Sequence, residues 1–192
     1  MRILFARHGQ TDWNVRLWVQ GGNDIPLNAA GAQQARALGE ALAGEPIVRV
    51  YASELLRAKE TAALVARRLG VDCRTRAGLQ EMGLGEWEGH TWTEIAEGWP
   101  ELYAVWNAHR RHTRPPGGET YAEVLARFVG AVLGILREAQ GDVLVVTHSA
   151  CIQIFLAELN GTPLESMSKD YPAPNAEAIA IEGQRILDRF AG

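Results

Sequence analysis

The sequence has few cysteines and no long apolar run, and each shortage excludes a class of protein. The two cysteines, Cys73 and Cys151, match neither a metal knuckle nor a disulfide framework, so we expect two packed thiols in a reducing compartment. No apolar run approaches the roughly 18 residues of a transmembrane helix. No signal peptide is evident at the start of the chain, which predicts a cytoplasmic protein.

The chain also lacks a strong charge of either sign. Nineteen basic and 23 acidic residues give a net charge of −4 at pH 7, which creates no field that would attract nucleic acid or an anionic membrane. We therefore expect neither of these partners. A length of 192 residues, with 47% hydrophobic and 22% charged residues, predicts a single globular domain over 1–192.

Short apolar runs alternate with segments of helical periodicity. The helical segments carry apolar stripes that would cover a sheet, and the longest spans about 120–139. This alternation predicts an α/β fold, a three-layer sandwich with a mainly parallel central sheet and helices on both faces. Four runs are predicted as buried strands: 3–6, 47–52, 71–74 and 143–147.

Two regions depart from this alternation. Residues from about 84 to 118 are rich in Gly, Trp and Pro and predict a small helical insertion. Within it, Thr91 and Glu94 form a candidate capping box and Pro100 suits a first helical turn, so we expect two short helices. Two short segments near the C-terminus predict an edge hairpin: 178–181 and 185–187.

Basic side chains follow the predicted strands where those strands end. Arg7 and His8 follow the first strand, and His148 follows the last. Arg57 lies at the start of the helix after the strand 47–52. Because the carboxyl ends of parallel strands meet at one edge of a sheet, we expect these side chains to converge. Two imidazoles and two guanidinium forks suit a tetrahedral dianion such as phosphate.

Five blocks of the sequence resemble the histidine phosphatase superfamily, the phosphoglycerate mutase-like proteins, and favour its phosphatase branch. The blocks stand in the family's order and span nearly the whole chain, which has a low chance of arising by accident. They are FARHGQTDWN at 5–14, QGGNDIPL at 20–27, SELLRAKETA at 53–62, EMGLGEWEG at 81–89 and TH at 147–148.

The resemblance implies phosphoryl transfer through a covalent phosphohistidine on His8. Arg7, Arg57 and His148 would bind the transferred group. Glu81 would protonate the leaving oxygen and later activate water. The implied enzyme is a phosphoric monoester hydrolase acting on a small phosphorylated metabolite. It would need neither a metal ion nor another cofactor, because the cationic side chains can stabilise the phosphate oxygens.

Four further residues are predicted to bind the substrate. Asn14 and Gln20 would be neutral donors on the rim of the phosphate pocket. Gly21 belongs to a Gln-Gly pair that resembles the phosphatases of the family. The backbone N–H of Ser149, or that of Ala150, would reach a phosphate oxygen.

The sequence departs from the family pattern at two positions and leaves one role with alternatives. Ser149 stands where the family often has glycine, and Gln153 stands where many relatives have arginine. The first change affects the local geometry after the second histidine, and the second removes one cationic contact. Glu86 and Glu88 are alternatives to Glu81 as the acid.

The insertion carries residues with two interpretations. His109 and His112 have a spacing that could hold a metal, but a solvated helix end is favoured because no nearby residue completes a ligand set. Arg110, Arg111 and Arg114 would meet a charged substrate if the insertion folded over the sheet edge. Four tryptophans favour a small core, with one or two lining an apolar substrate wall: Trp87, Trp92, Trp99 and Trp106.

Two alternative functions stay open at this point. A cofactor-dependent phosphoglycerate mutase uses the same residues, but the short chain and the Gln20-Gly21 pair favour a phosphatase. A non-catalytic protein that binds phosphorylated ligands is disfavoured by the complete set of catalytic residues. The edge hairpin or the insertion could also form a symmetric homodimer.

Overall fold

The structure is a computed structural model that describes residues 1–191, and within them one five-stranded sheet has the order β3-β2-β4-β1-β5. The first four strands pair in parallel, and β5 runs antiparallel to β1. The strands are β1 (Arg2–Arg7), β2 (Ile47–Ala52), β3 (Asp72–Thr75), β4 (Asp142–Thr147) and β5 (Ala178–Glu182). The predicted α/β class with a mainly parallel sheet is confirmed.

Helices connect these strands. They are α1 (Asp12–Val15), α2 (Ala29–Ala41), α3 (Leu56–Leu69), α4 (Trp92–Gly98), α5 (Pro100–Ala108), α6 (Tyr121–Glu138), α7 (Ser149–Asn160), α8 (Met167–Asp170) and α9 (Gly183–Phe190). Among residues 1–191, no helix combines the length and the apolar character needed to span a bilayer.

Side chains of β1 alternate between the two faces of the sheet, as the pleat of a strand requires. Ile3 and Phe5 pack in a cluster that includes side chains of α6, α7 and α9. Leu4 and Ala6 pack in a second cluster, with side chains of α2 and α3. The two clusters give the three-layer sandwich, with the sheet between two helical layers.

The segment 84–118 contains a short 3₁₀ turn at Gly85–Trp87, followed by α4 and α5. Thr91 and Glu94 form the predicted capping box, and Pro100 occupies the first turn of α5. Trp87 and Trp106 are buried in the same cluster as Phe5, so this segment packs against one face of the sheet.

Two expectations about packing are wrong. Residues 178–182 form a strand, but 185–187 lie in α9, not in the second strand of a hairpin. Ile186 and Phe190 lie four residues apart and both contact the core, which is a helical period that a three-residue run cannot reveal. Cys151 is buried as expected, but Cys73 is exposed, because β3 is an edge strand with all four residues exposed.

Candidate active site

The structure brings the four predicted basic residues together at the carboxyl edge of the sheet. Arg7 pairs in register with Thr147, so His8 and His148 each follow one of two neighbouring parallel strands. The centroids of the two imidazole rings are 5.2 Å apart. Arg57, in the first turn of α3, reaches the same place.

The His8 side chain is buried and has a partner on each ring nitrogen. Its Nδ1 lies 2.7 Å from the carbonyl oxygen of Gly9, and its Nε2 lies 3.2 Å from Nε of Arg57. Because a carbonyl only accepts hydrogen bonds, Nδ1 carries the proton and Nε2 carries the lone pair. Burial holds the pKa of His8 well below its usual 6.5, and the charges of Arg57 and Arg7 lower it further. His8 is therefore a neutral imidazole whose Nε2 lone pair is available for nucleophilic attack.

Arg57 is fully buried and held by backbone carbonyls of a neighbouring loop. Its Nη1 donates to the carbonyl of Asn23 at 2.6 Å, and its Nη2 donates to that of Gly21 at 2.9 Å. Burial lowers the pKa of Arg57, whereas the charges of Glu81 and Asp24 oppose that effect. Since arginine stays protonated in proteins, a fixed positive charge lies beside Nε2 of His8.

Arg7 and His148 each have one buried nitrogen with no hydrogen-bond partner among the described residues. Nη1 of Arg7 donates to the carbonyl of Ala173 at 3.0 Å, but its Nε has no partner. Nε2 of His148 lies 2.8 Å from the Ser53 hydroxyl, and its Nδ1 has none. Burial lowers the pKa of both Arg7 and His148. Buried unpaired polar atoms are costly, so their presence at one edge indicates a site for a polar ligand.

Glu81 lies beside the first turn of α7. Its Oε1 accepts a hydrogen bond from the Met82 N–H at 3.0 Å, and its Oε2 accepts one from the Ala150 N–H at 3.4 Å. The Ser149 hydroxyl lies 3.5 Å from the same Oε2. In this structure the Ala150 N–H, considered above as a phosphate donor, contacts the Glu81 carboxylate instead.

The two alternative acids lie elsewhere. Glu86 is exposed in the 3₁₀ turn. Glu88 accepts hydrogen bonds from the N–H of Gly22 at 3.0 Å, the N–H of Leu84 at 2.9 Å and the Asn23 amide at 2.6 Å. It thereby holds the loop whose carbonyls bind Arg57. This geometry favours Glu81 over both for the acid role.

The remaining predicted site residues line a single cavity of about 550 Å³ together with Arg7, His8, Arg57 and Glu81. They are Asn14, Gln20, Gly21 and Ser149. The Gln20 side-chain oxygen accepts a hydrogen bond from the Thr11 hydroxyl at 3.0 Å, and the Asn14 side-chain oxygen accepts one from the Thr11 N–H at 3.0 Å. Gln153, one of the departures from the family pattern, also lines the cavity.

The cavity has a polar inner end and an apolar outer end. We call the part around His8 and Arg57, which are buried, the inner end. The outer end is formed by aromatic residues of the insertion and of the segment after α1, and by Arg110. Its aromatic residues are Trp18, Trp92, Tyr103 and Trp106. Trp92 and Trp106 thus line the wall, whereas Trp87 is buried and Trp99 packs beside the core.

The other charged residues of the insertion lie away from the cavity. Arg111 pairs with Glu158 at 2.6 Å, and Arg114 pairs with Glu123 at 2.5 Å. Arg110 alone of the three arginines lines the cavity. In the part of the chain that the structure describes, no group of three or more His, Cys, Asp or Glu side chains is placed to hold a metal ion.

Sequence reasoning missed Arg127, which holds the segment that carries Glu81. From α6, its Nη1 donates to the carbonyl of Gln80 at 2.6 Å and its Nη2 donates to that of Glu81 at 3.0 Å. Its Nε pairs with Glu119 at 2.8 Å, and Glu119 accepts a hydrogen bond from the Gly83 N–H at 2.8 Å. Nothing in the sequence distinguishes this arginine from solvated ones, because the carbonyls that it binds lie more than 40 residues away.

Asn175 and Tyr121 were also missed. Asn175 and Tyr121 both line the cavity, and the Asn175 amide donates to the carbonyl of His8 at 2.9 Å. Asn175 lies in a bridge beside Arg7, a long-range contact that only the fold reveals.

Comparison with protein families gives one match that covers most of the chain. The model of the histidine phosphatase superfamily (branch 1) matches residues 3–185. Among named proteins, the chain is 36% identical over 155 residues to phosphoglycerate mutase-like protein 4 of Arabidopsis thaliana, covering 79% of this chain and 67% of that protein. It is 32% identical over 167 residues to a probable phosphoglycerate mutase of Salmonella choleraesuis, covering 85% and 76%.

Solved structures with the same fold include phosphatases. A mycobacterial glucosyl-3-phosphoglycerate phosphatase, in a complex with VO₃, aligns with a TM-score of 0.83 and 30% identity over 94% of this chain and 90% of that one. The α-ribazole phosphatase of Shigella flexneri aligns with a TM-score of 0.83 and 31% identity, covering 96% and 92%.

Proposed function

The chain belongs to the histidine phosphatase superfamily (branch 1), and from that membership we propose that it hydrolyses a small phosphate monoester through a phosphohistidine on His8. One observation carries the proposal: His8 is buried and neutral, and its Nε2 lone pair is held beside the guanidinium of Arg57. Cationic and neutral donors at the inner end of the cavity supply the electrostatic stabilisation that a metal ion gives in other phosphoryl-transfer sites.

In the first step, the phosphate occupies the inner end of the cavity. The unpaired Nε of Arg7 and Nδ1 of His148 contact its oxygens, and Arg57 turns its Nε–H from His8 to a third oxygen. Nε2 of His8 then attacks phosphorus, so that an N–P bond forms while the bond from phosphorus to the leaving oxygen breaks. Glu81 gives its proton to that oxygen, and the alcohol leaves.

In the second step, water replaces the alcohol. The ionised Glu81 takes a proton from this water as its oxygen attacks phosphorus, and the N–P bond breaks. Inorganic phosphate, neutral His8 and protonated Glu81 result, so the site returns to its starting state. Because Glu81 contacts Ala150 and Ser149, its carboxylate lies at the N-terminus of α7, next to His148.

The substrate class follows from the site and from the names of similar phosphatases. Two solved relatives are named glucosyl-3-phosphoglycerate phosphatase and α-ribazole phosphatase, which supports a phosphorylated metabolite as the partner. We also propose that the protein is located in the cytoplasm, because two free cysteines, one of them exposed, suit a reducing compartment.

Phosphoglycerate mutase is the second candidate, because two similar proteins carry that name. A mutase uses the same phosphohistidine but returns the phosphoryl group to a second hydroxyl instead of to water. Interconversion of the two phosphoglycerates, followed without release of inorganic phosphate, would favour the mutase over the phosphatase.

The proposal is tested by hydrolysis of para-nitrophenyl phosphate with excess chelator, at mildly acidic and neutral pH. Wild type is compared with His8→Ala, and with His112→Ala as a matched control on an exposed histidine. We expect turnover that survives the chelator, vanishes in His8→Ala and persists in His112→Ala. An acid-labile phosphoryl group should be trapped on the wild type. Loss of turnover with chelator, or its persistence in His8→Ala, would overturn the proposal.

A further inference from the structure

The outer end of the cavity is built from flat side chains. The rings of Trp92 and Trp106 are nearly parallel, 19° apart, with centroids separated by 5.5 Å. Tyr103 packs on Trp106 at 6.1 Å and 23°. Trp92 is 43% exposed, so this aromatic wall reaches from the core to the mouth. Such a surface favours contact with a flat apolar group.

Arg110 lies within this wall and keeps an unused donor. Its guanidinium carbon is 4.8 Å from the centroid of Trp106, and its Nη2 donates to the Asn107 side chain at 2.6 Å. Its Nε is buried and has no hydrogen-bond partner within residues 1–191. The neighbouring Arg111 and Arg114 each pair with a carboxylate, whereas Arg110 faces the cavity without one.

Trp106 offers a second unused donor beside the first. Its indole Nε1 is buried and likewise has no partner in the described part of the chain. Because the guanidinium of Arg110 lies over this ring, the two residues that carry these unpaired N–H groups are neighbours in one wall. Buried donors without acceptors are rare and costly, which indicates that this wall takes a ligand with acceptor oxygens.

The charges around the cavity point to the same ligand. The described residues that line it carry three arginines, Arg7, Arg57 and Arg110, and one carboxylate, Glu81. A phosphate dianion balances Arg7 and Arg57 at the inner end. When Glu81 is protonated to act as an acid, Arg110 is left as an uncompensated charge. Burial raises the pKa of Tyr121, which lies beside Arg110, so its hydroxyl adds no negative charge there.

We propose that the alcohol part of the substrate is flat and apolar and carries a carboxylate that pairs with the guanidinium of Arg110 beside Trp106. The ring of this leaving group would lie against Trp92 and Tyr103. The proposal rests on the proposed function for the direction of the substrate, with its phosphate at His8. It makes Arg110 the residue that selects among phosphate monoesters.

The test measures binding of phosphonates, because their affinity depends neither on turnover nor on the acidity of a leaving group. The probes are para-carboxybenzyl phosphonate, its carboxamide, and the carboxylate with a saturated ring, each titrated by calorimetry. The variants are Arg110→Gln, Arg110→Lys, Trp92→Ala and, as a matched control, Arg111→Gln, whose native side chain pairs with Glu158. Thermal denaturation of each variant establishes that it folds.

We expect wild type to bind the carboxylate about tenfold or more tightly than the carboxamide, as a charge-assisted hydrogen bond in a partly buried site allows. Arg110→Gln should abolish this preference, Arg110→Lys should retain part of it, and Arg111→Gln should keep it whole. The aromatic carboxylate should also bind more tightly than the saturated one, and Trp92→Ala should reduce that difference.

Equal affinity of wild type for the carboxylate and the carboxamide would overturn the proposal, as would a preference that survives in folded Arg110→Gln. These results are independent of catalysis. If the phosphonates bind with the expected preference but no monoester is hydrolysed, the proposed function fails and the carboxylate site stands. If monoesters are hydrolysed but the phosphonates bind without the expected preference, the proposed function stands and the carboxylate site fails.

Discussion

Arg57 donates its Nε–H to Nε2 of His8 across 3.2 Å, so the most buried cation of the site contacts the atom that we propose as the nucleophile. The contact has two consequences. It requires a lone pair on Nε2, which agrees with a proton on Nδ1 held by the Gly9 carbonyl. It also places a positive charge where a second proton would have to go, which disfavours the imidazolium.

The first prediction concerns the titration of His8. Its pKa lies well below 6.5, so the imidazole stays neutral as the pH falls through 6.5 and gains a proton only in more acidic solution. Arg57→Gln removes a neighbouring charge and should move the pKa upward. Nuclear magnetic resonance titration of the histidine ring nitrogens, with His8→Asn to assign the signal, measures both values. Arg67→Gln, an exposed arginine in the same helix, should change nothing. A wild-type value at or above 6.5 would contradict this account.

The second prediction concerns stability against acid. His8 and His148 both have a lowered pKa when folded, whereas the unfolded chain titrates near 6.5. Below that pH the unfolded state binds more protons, so the free energy of unfolding falls as the pH falls. The slope is up to about 1.4 kcal/mol per pH unit for each histidine. Urea unfolding from neutral to mildly acidic pH measures it. His148→Asn should reduce the slope.

Local patterns sufficed for the parts of the site that lie at strand ends. Arg7 is the last residue of β1, and His8 and His148 each follow a parallel strand, so the fold class alone places them at one edge. Contacts between residues far apart in the sequence could not be predicted from local patterns. Arg127 binds carbonyls of a segment more than 40 residues away, and Arg110 lines one cavity with Arg7 and His8, which lie more than 100 residues earlier in the chain. The prediction for the short run 185–187 failed for a different reason, since three residues, of which only Ile186 and Leu187 are apolar, carry no decisive period.

The third prediction assigns the acid. Glu81→Gln cannot donate a proton to the leaving oxygen, so formation of the phosphoenzyme should slow about a hundredfold or more for an ester of a weakly acidic alcohol. For para-nitrophenyl phosphate, whose leaving group departs unprotonated, the same step should slow far less. Rapid-quench measurement of the phosphoenzyme gives both rates. The exposed Glu86→Gln is the control and should match wild type. An equal loss for both esters would exclude Glu81 from this role.

The fourth prediction concerns Arg127 as a positioning residue. Arg127→Lys loses the fork that binds the carbonyls of Gln80 and Glu81, which should lower the free energy of unfolding by about 2 kcal/mol. Because Glu81 would then be misplaced, phosphoenzyme formation should slow more for the weakly acidic alcohol than for nitrophenol. Arg137→Lys, an exposed site in the same helix, serves as the control. A loss that is independent of the leaving group would indicate a role in stability alone.

The fifth prediction concerns the loop that holds Arg57. Gly21 has a φ of +49° and gives its carbonyl to Nη2 of Arg57 at 2.9 Å. A side chain here would be strained in the left-handed region, and its Cβ would overlap Oε1 of Glu88. A Cβ on Gly22 would instead lie 4.0 Å from that same atom, which is ordinary contact. The two glycines therefore form a matched pair that differs in backbone strain and in the room available for a Cβ.

Gly21→Ala should move the loop and with it the guanidinium of Arg57, because the Gly21 carbonyl accepts the hydrogen bond from Arg57 Nη2. We expect kcat/KM to fall about tenfold or more, since small displacements of a positioned group are costly to catalysis. Gly22→Ala should keep kcat/KM within about threefold of wild type, as surface changes away from such contacts do. Steady-state hydrolysis of para-nitrophenyl phosphate measures both. Equal effects in the two variants would mean that the Gly21 carbonyl does not hold Arg57 in place, and the His8–Arg57 contact would then need another explanation.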